Sequence, residues 1–479
     1  MATKLWTGLN ATDAKWSRTD NWSPSGAPVA GDALQFGGTT RLTTDNDIAA
    51  DTSFASITFN SGAGTFVLGG NRITLGGNIT NSDDSLQTIS FDMILGATRT
   101  VNCASGDITI SGVISSTGGL TKTGSSTLKL TGTNSYSGDS TISSGMLEGT
   151  NTSAFGTGIL IANGGTLGVH INGAGSGGTI TFTNSFWINT SYTGTIDVNN
   201  NGSNTGNTVV FPVGSFGASL QLNVTGGNSY KLQLTDVDLS GGGLNVTFNP
   251  TTAALLMTTV TCGTDYAHTL VLDGTNTGNI ISGAITNGEG TTAVAKSNSG
   301  TWVISGTSTY TGTTTVTAGT FLVTGSITGT GAVTVSNTAT LGGTGTIAGA
   351  ITQSSGSIIA PGIGGTTIGT LGTANVTMNA SSTYSVDLDG TTPTFDQINS
   401  SGTVACAGTL TVASIANAAI GKIYTIVNTT TSVSGTFTGL PNNGTFAQQG
   451  RRFRAVYAAN TVKLIDCSNW VQSVITNLG

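Results

Sequence analysis

"GGLTKTGSSTLKLTGTNSYSGDSTISSGML", Gly118–Leu147, is almost entirely Gly, Ser and Thr, yet apolar residues interrupt it at short intervals. Leu128 and Leu130 lie two apart, so in a strand both side chains face the same side. Gly132 to Gly138 is rich in turn formers, where glycine supplies positive φ without steric cost. A second short strand is expected around Thr141–Ser143, followed by Gly145 and the apolar Leu147. Such composition alone would suit a disordered tract. A second copy argues otherwise. Residues 296–321, "KSNSGTWVISGTSTYTGTTTVTAGTF", align with it without a gap at a shift of 174, from Gly132 to Gly306. Lys122 meets Lys296, Tyr136 meets Tyr310 and Gly145 meets Gly319. Leu128, Leu130, Ile142 and Leu147 meet Trp302, Ile304, Val316 and Phe321, and these eight are the expected structural core. A disordered chain has no reason to keep that register.

Similar units fill the rest of the sequence: "SITFNSGAGTFVLGGNRITLGGNIT" (56–80), "GAVTVSNTATLGGTGTIAGAITQSSGSIIAPG" (331–362) and "GTLTVASI" (408–415). No single unit can bury its own apolar face, so stacking is required. The pattern predicts an all-β parallel β-solenoid with coils of roughly 20–25 residues, the unit length typical of such repeats. Residues 1–36, dense in Trp6, Trp16 and Trp22, read as an N-terminal cap over the first coil's open edge. Residues 37–375 read as stacked coils and 376–465 as a C-terminal β region, a small β-domain or wider coils. In the tail 466–479, Trp470, Val471, Val474 and Ile475 have helical spacing, with Ser468 as N-cap, and form the expected interface for docking or self-association.

Composition narrows the function. Of the 479 residues 37% are hydrophobic and 8% charged, the net charge is −7, and 72 are glycine. An ordinary soluble domain carries about 25% charged residues. Disorder needs low hydrophobicity with high net charge, which this chain lacks. Fifteen basic residues, with a single short run at Arg451, Arg452 and Arg454, exclude a nucleic-acid-binding face. No apolar stretch approaches the roughly 20 residues of a membrane-spanning helix, so no membrane insertion is expected. Cys103, Cys262, Cys406 and Cys467 are far apart and form no CxxC pair, which predicts buried free thiols.

The opening stretch resembles the autotransporter-associated β-strand repeat of bacterial surface proteins, and its second copy resembles it more loosely. Residues 341–362, "LGGTGTIAGAITQSSGSIIAPG", are similar to the segment that often follows such repeats. Residues 384–464, with "YSVDLDG", "FDQI", "GKIYTIV", "GTFTGLP" and "FRAVYAANTVKL", resemble the end of the same solenoids. The start, "WTGLNATDAKWSRTDNWSPSGAPVAGDALQF", is similar to the opening of many solenoid proteins, phage structural proteins among them. The resemblance implies a right-handed β-helix used for display and adhesion.

Candidate chemistry is sparse. "GAGSGG" (Gly173–Gly178) fits a dinucleotide fingerprint, but the strand pattern "TITFTNSFWI" follows where a helix is needed. Asp387 and Asp389 alternate with Val386 and Leu388, which places both carboxylates on one solvated face of a strand. They are the strongest enzymatic lead, because polysaccharide-cleaving β-helices use acidic residues. Asp83–Asp84 and "DNDIAAD" (45–51) read as loops. His170 and His268 read as isolated coil or turn residues, and Tyr136 and Tyr310 as packing residues of the repeat. No catalytic, cofactor-binding or metal-binding set emerges, and no cofactor is expected.

The sequence therefore predicts a non-enzymatic structural or adhesive solenoid. With no signal-peptide pattern at its start, the leading expectation is a phage virion component: head decoration, head fibre or tail fibre. The alternative is a bacterial cell-surface adhesin or autotransporter-like passenger, and the third is a polysaccharide-active enzyme. Expected partners are other virion or surface proteins, host-surface glycans and a second copy of the chain.

Overall fold

The computed structural model describes residues 2–189, 191–239, 245–263, 267–390, 394–417 and 420–468. It is a β-solenoid of short parallel strands, and the one helical turn among the described residues is the 3-10 turn Thr19–Asn21. The chain forms two compact units, Met1–Gly241 with Val246–Leu256, and Gly242–Asn245 with Met257–Gly479.

In the first unit one ladder runs Leu34, Ile57, Ile79, Val101, Lys122, Ile142, Ala162. Along this ladder the turns of the coil shorten from 23 residues (Leu34 to Ile57) to 20 (Lys122 to Ile142). A second ladder runs Leu68, Ile89, Ile110, Leu130, Gly149, Val169, Val198. Its apolar members point inward and are fully buried, while alternate residues such as Lys129 face outward. Period-2 alternation therefore builds the core directly. Leu128, Leu130, Ile142 and Leu147 are buried in this unit, and Trp302, Ile304, Val316 and Phe321 in the other.

The first strand, Thr3–Trp6, pairs in parallel with Ala33–Phe36 on one side. On the other side Trp22–Ser23 runs antiparallel to it, so no open edge remains along Leu5–Trp6. Trp6, Trp16 and Trp22 are buried and meet edge to face, with ring centroids 5.1 Å apart for Trp6–Trp22 and 5.8 Å for Trp16–Trp22. The indole N–H of Trp22 donates to the Trp16 carbonyl at 2.9 Å, and that of Trp16 to Thr44 Oγ1 at 3.0 Å. The aromatic bodies fill the end of the core while their polar tips stay bonded.

The two repeat copies share one corner device. Lys122 is buried, and its Nζ donates to the carbonyls of Thr123, Gly124 and Ser144 at 2.7, 2.9 and 3.2 Å. Lys296, also buried, does the same to Ser297, Asn298 and Ala318 at 2.5, 2.7 and 3.0 Å. A β-carbon at Gly145 or Gly319 would sit 2.8 Å from that ammonium, and both glycines have positive φ, +64° and +65°. Lysine and glycine thus recur together because one fills the space the other leaves. Beside them, the Tyr136 hydroxyl bonds Ser140 and that of Tyr310 bonds Thr314, both at 2.7 Å. Asn134 Oδ1 accepts the Ile114 N–H, and in the other copy Ser308 Oγ accepts that of Ile285.

The second unit ends in antiparallel strands. Ile423–Thr429 stacks in parallel on Gln397–Ser400, with Ile398 opposite Val427. It then pairs antiparallel with Thr461–Asp466, followed by Arg451–Tyr457 and Thr445–Gln448. Asp466 closes its strand as a buried carboxylate bonded to Arg451 Nε at 2.9 Å. Trp470, Val471, Val474 and Ile475 lie outside the described residues.

Candidate functional site

His170 is not in a coil or turn. It ends the strand Thr166–His170, and His268 begins the strand His268–Leu272, where it is buried. On the outer face, Lys129, Glu148, Gly168, Asp197 and Thr225 stand in one row. Gly168 leaves a gap in that row, and the imidazole of His170 bridges the carboxylates either side of it. Nε2 lies 2.8 Å from Asp197 Oδ2 and Nδ1 3.4 Å from Glu148 Oε1. Lys129 Nζ completes the row 2.8 Å from Glu148, and Thr225 Oγ1 donates to Asp197 at 2.5 Å. Sequence reasoning missed this set because its members are about 20 to 30 residues apart and meet only when coils stack.

Hydrogen bonds to Asp197 and Glu148 raise the His170 pKa to about 9. Glu148 is held down to about 2, by His170 first and Lys129 next. Both imidazole nitrogens are taken by carboxylates, so His170 is a cationic link and not a base poised for a nucleophile. The folded pKa lies above the unfolded value, so the link contributes fully below about pH 6.5 and is lost as pH rises through about 9. Its contribution is on the order of 2 kcal/mol after allowance for partial solvent screening. Denaturant titration at pH 6 and pH 9.5 should show that difference, and His170→Gln should abolish it.

Asp387 and Asp389 do not share a solvated face. Opposite them, the strand Thr409–Ala416 carries one extra residue, Ala413, so the register shifts between Val386 and Asp387. Along Thr383–Asp389 itself the alternation holds, with Val386 and Leu388 buried on one face, but on the other face Asp387 is covered. Asp387 is buried and accepts a hydrogen bond from Ser414 Oγ, while Asp389 is half-buried and accepts from Asn417 at 3.2 Å. Bonded to the Asp387 backbone is a residue not anticipated, Asp396, which is 1% exposed. Its oxygens accept the N–H groups of Gly369 at 2.8 Å and Asp387 at 2.9 Å. Burial pushes its pKa up to about 7, with the Asp387 charge adding to the rise and the two backbone donors opposing it. Both its oxygens serve the chain's own backbone, at Gly369 and Asp387.

Elsewhere, the Gly178 N–H donates to Asn207 Oδ1, and the strand Thr179–Thr181 comes next. Asp83 is buried and bonded to the Gly62 and Ser85 N–H groups. The four cysteines are buried, and none is joined to another by a disulfide. Among the described residues no group of three or more His, Cys, Asp or Glu side chains is arranged to hold a metal ion.

A sizeable concavity lies within the second unit, with a volume of about 450 Å³. It runs across the outer face of the sheet built from Ser326–Ile327, Thr346–Ile347, Thr370–Thr373, Gln397–Ser400 and Ile423–Thr429. Thr346, Gly372 and Asn399 form one row along the stack. Ala348, Ala374, Ser401 and Thr430 form the next, each donating its N–H to the coil before. Small residues at Ala348, Gly372 and Ala374 make the hollow, with Thr346, Asn399, Ser401 and Thr430 around it. None of its lining residues is charged. Such a surface offers hydroxyls and amides at the repeat of stacked strands, about 4.8 Å, and no group that would attract a phosphate or a metal.

Residues 120–148 and 294–323 match the sequence profile of the passenger-associated-transport repeat. These are the two segments that carry Lys122 and Lys296. Over 175 residues the chain is also 31% identical to the adhesin BmaC autotransporter of Brucella suis biovar 1 (strain 1330), a match covering 34% of this chain. The chain spans 4% of that relative's length. The chain is therefore a β-solenoid that carries autotransporter-associated repeats.

Proposed function

We propose that this chain is part of a bacterial passenger displayed at the cell surface, where the solenoid is adhesive and not enzymatic. The recurrence of the passenger-associated-transport repeat, with the same lysine corner in both copies, carries the reading. The similarity to an autotransporter adhesin supports it. Together they favour the bacterial surface over the virion surface. The internal use of His170, Asp387 and Asp396 supports a binding role over a catalytic one.

The uncharged groove of the second unit supplies the contact surface in this reading, and neutral glycan is the ligand it suits. A polyhydroxylated chain can exchange hydrogen bonds with Thr346, Asn399, Ser401 and Thr430 while lying over the flat Ala348–Gly372–Ala374 floor. Beads coated with the purified chain should adhere to surfaces bearing neutral oligosaccharides. Ala348→Tyr, an exposed substitution that fills the hollow, should reduce adhesion about tenfold, equivalent to roughly 1.4 kcal/mol. Equal adhesion by the variant would remove the groove from the account. Release of shortened glycan by the protein would overturn the non-enzymatic reading.

A further inference from the structure

Five asparagines in this chain are followed by glycine: Asn163, Asn172, Asn201, Asn287 and Asn443. In such a pair the glycine nitrogen can reach the asparagine amide carbon, because no β-carbon stands in the way. The attack needs both atoms free to approach each other, so a hydrogen bond that pins either one opposes it. Four of the pairs are pinned. Asn163 Oδ1 accepts the Asn189 N–H at 3.3 Å, and Asn172 Oδ1 accepts that of Asn204 at 2.9 Å. Asn287 Oδ1 accepts the Thr292 and Thr311 N–H groups at 2.9 and 3.2 Å, and its Nδ2 donates to Thr311 Oγ1 at 2.8 Å. After Asn443, the Gly444 N–H is itself given to the Pro441 carbonyl at 2.7 Å. Asn201 differs: among the described residues, neither its side chain nor the Gly202 N–H makes a hydrogen bond.

The fold places Asn201 at the tip of a loop that is closed at its base. The loop joins the strands Thr193–Asn199 and Thr208–Phe216. Asn200 Nδ2 donates to the Asn204 carbonyl at 2.7 Å, and Asn204 Nδ2 to the Gly173 carbonyl at 3.1 Å. Between these bonds Asn201, Gly202 and Ser203 are exposed. Exposed tips of small polar residues are where a chain gives way most easily. Gly202 also lies against the Asn172 amide, since a β-carbon there would stand 2.5 Å from Asn172 Cγ. That amide is the one that braces the Asn204 N–H.

We infer that Asn201–Gly202 is a self-modifying site, whose conversion to isoaspartate releases the brace between Asn172 and Asn204. The Gly202 nitrogen attacks Asn201 Cγ. A C–N bond forms, the Cγ–Nδ2 bond breaks, and ammonia leaves with the proton of the attacking nitrogen. Water then opens the five-membered imide at one of its two carbonyls, giving aspartate or isoaspartate, with no oxidant or reductant. Isoaspartate carries the main chain through its β-carbon, so one extra methylene enters the tip. Because Gly202 already touches Asn172, the longer tip pushes that amide away from the Asn204 N–H. Either product puts a carboxylate into a loop, 199–207, that otherwise has no charge. The inference is independent of the adhesive reading, because it concerns only this loop.

The test is storage of the full chain in warm, mildly alkaline buffer, which favours loss of the attacking nitrogen's proton, followed by peptide mapping with mass spectrometry. Asn201 should convert at least roughly tenfold faster than Asn163, Asn172, Asn287 or Asn443. Hydrogen exchange at the Asn204 N–H should accelerate in the isoaspartate form. It should stay unchanged in freshly prepared Asn201→Asp, which gains the charge without the methylene. No conversion at Asn201, or conversion as fast at any of the other four, would overturn the assigned site. Selective conversion with unchanged Asn204 exchange, or equal acceleration in Asn201→Asp, would overturn release of the brace by the lengthened chain.

Discussion

Lys122→Met is expected to destabilise the first unit by about 3 kcal/mol or more, far beyond the effect of replacing a surface lysine. A hydrogen bond to a charged group contributes roughly 1.5–3 kcal/mol, and removing one partner leaves buried acceptors unpaired. Three carbonyls, those of Thr123, Gly124 and Ser144, converge on this ammonium. The methionine chain fills the stem's volume but satisfies none of them. Lys122→Arg should fail to rescue, because a planar fork cannot replace a compact donor of three bonds. Gly145→Ala should also destabilise, since the new methyl would stand 2.8 Å from Lys122 Nζ at a positive φ. Equilibrium unfolding in urea, read as a midpoint shift at constant slope, measures all three. A Lys122→Met midpoint within error of the unmodified chain would show that the corner does not depend on its ammonium. Lys296, pushed down to about 8 by burial, holds the matching corner of the second unit and should respond alike.

Leu130→Asp should cost still more, about 4 kcal/mol or above. Leu130 is fully buried between Ile110 and Gly149 in the inward ladder. Loss of the leucine side chain alone costs about 2–5 kcal/mol, and the buried carboxyl adds an unpaired polar group. Burial would raise the pKa of that carboxyl, so the folded state would bind the proton more tightly than the unfolded one. The damage should therefore be partly relieved as pH falls toward 4. By contrast Lys129→Met, one residue away on the outer face, removes only its pair with Glu148 and should cost under about 1 kcal/mol. A similar cost at positions 129 and 130 would contradict the inward–outward alternation.

What can be read from the sequence follows the length scale of each interaction. The alternation of Leu128 and Leu130, and the gapless second copy at Trp302 and Ile304, are local or in register. They suffice to show which residues face inward and that units must stack. The recurrence of Lys122 with Gly145 is visible as a pattern, but its cause is not: the cage of carbonyls forms only when one coil lies on the next. The same holds for Lys129, Glu148, His170 and Asp197, which become neighbours through stacking alone. Asp387 keeps the local alternation between buried Val386 and Leu388, but it is itself covered and bonded by Ser414 of the paired strand, a contact made only when coils stack. The groove is equally hidden. Ala348, Gly372 and Ala374 are ordinary residues in this sequence and become a hollow only where outward positions of successive coils coincide.

The central claim, display of an adhesive solenoid at the bacterial surface, is tested most directly by brief proteolysis of intact source cells with mass spectrometry of the released peptides. The account predicts peptides from this chain, with exposed segments such as the one around Tyr192 cut early and buried stretches such as Thr127–Leu130 released late, while cytoplasmic marker proteins stay intact. Finding the chain inside unbroken cells and in purified virus particles, and never among the released peptides, would contradict it.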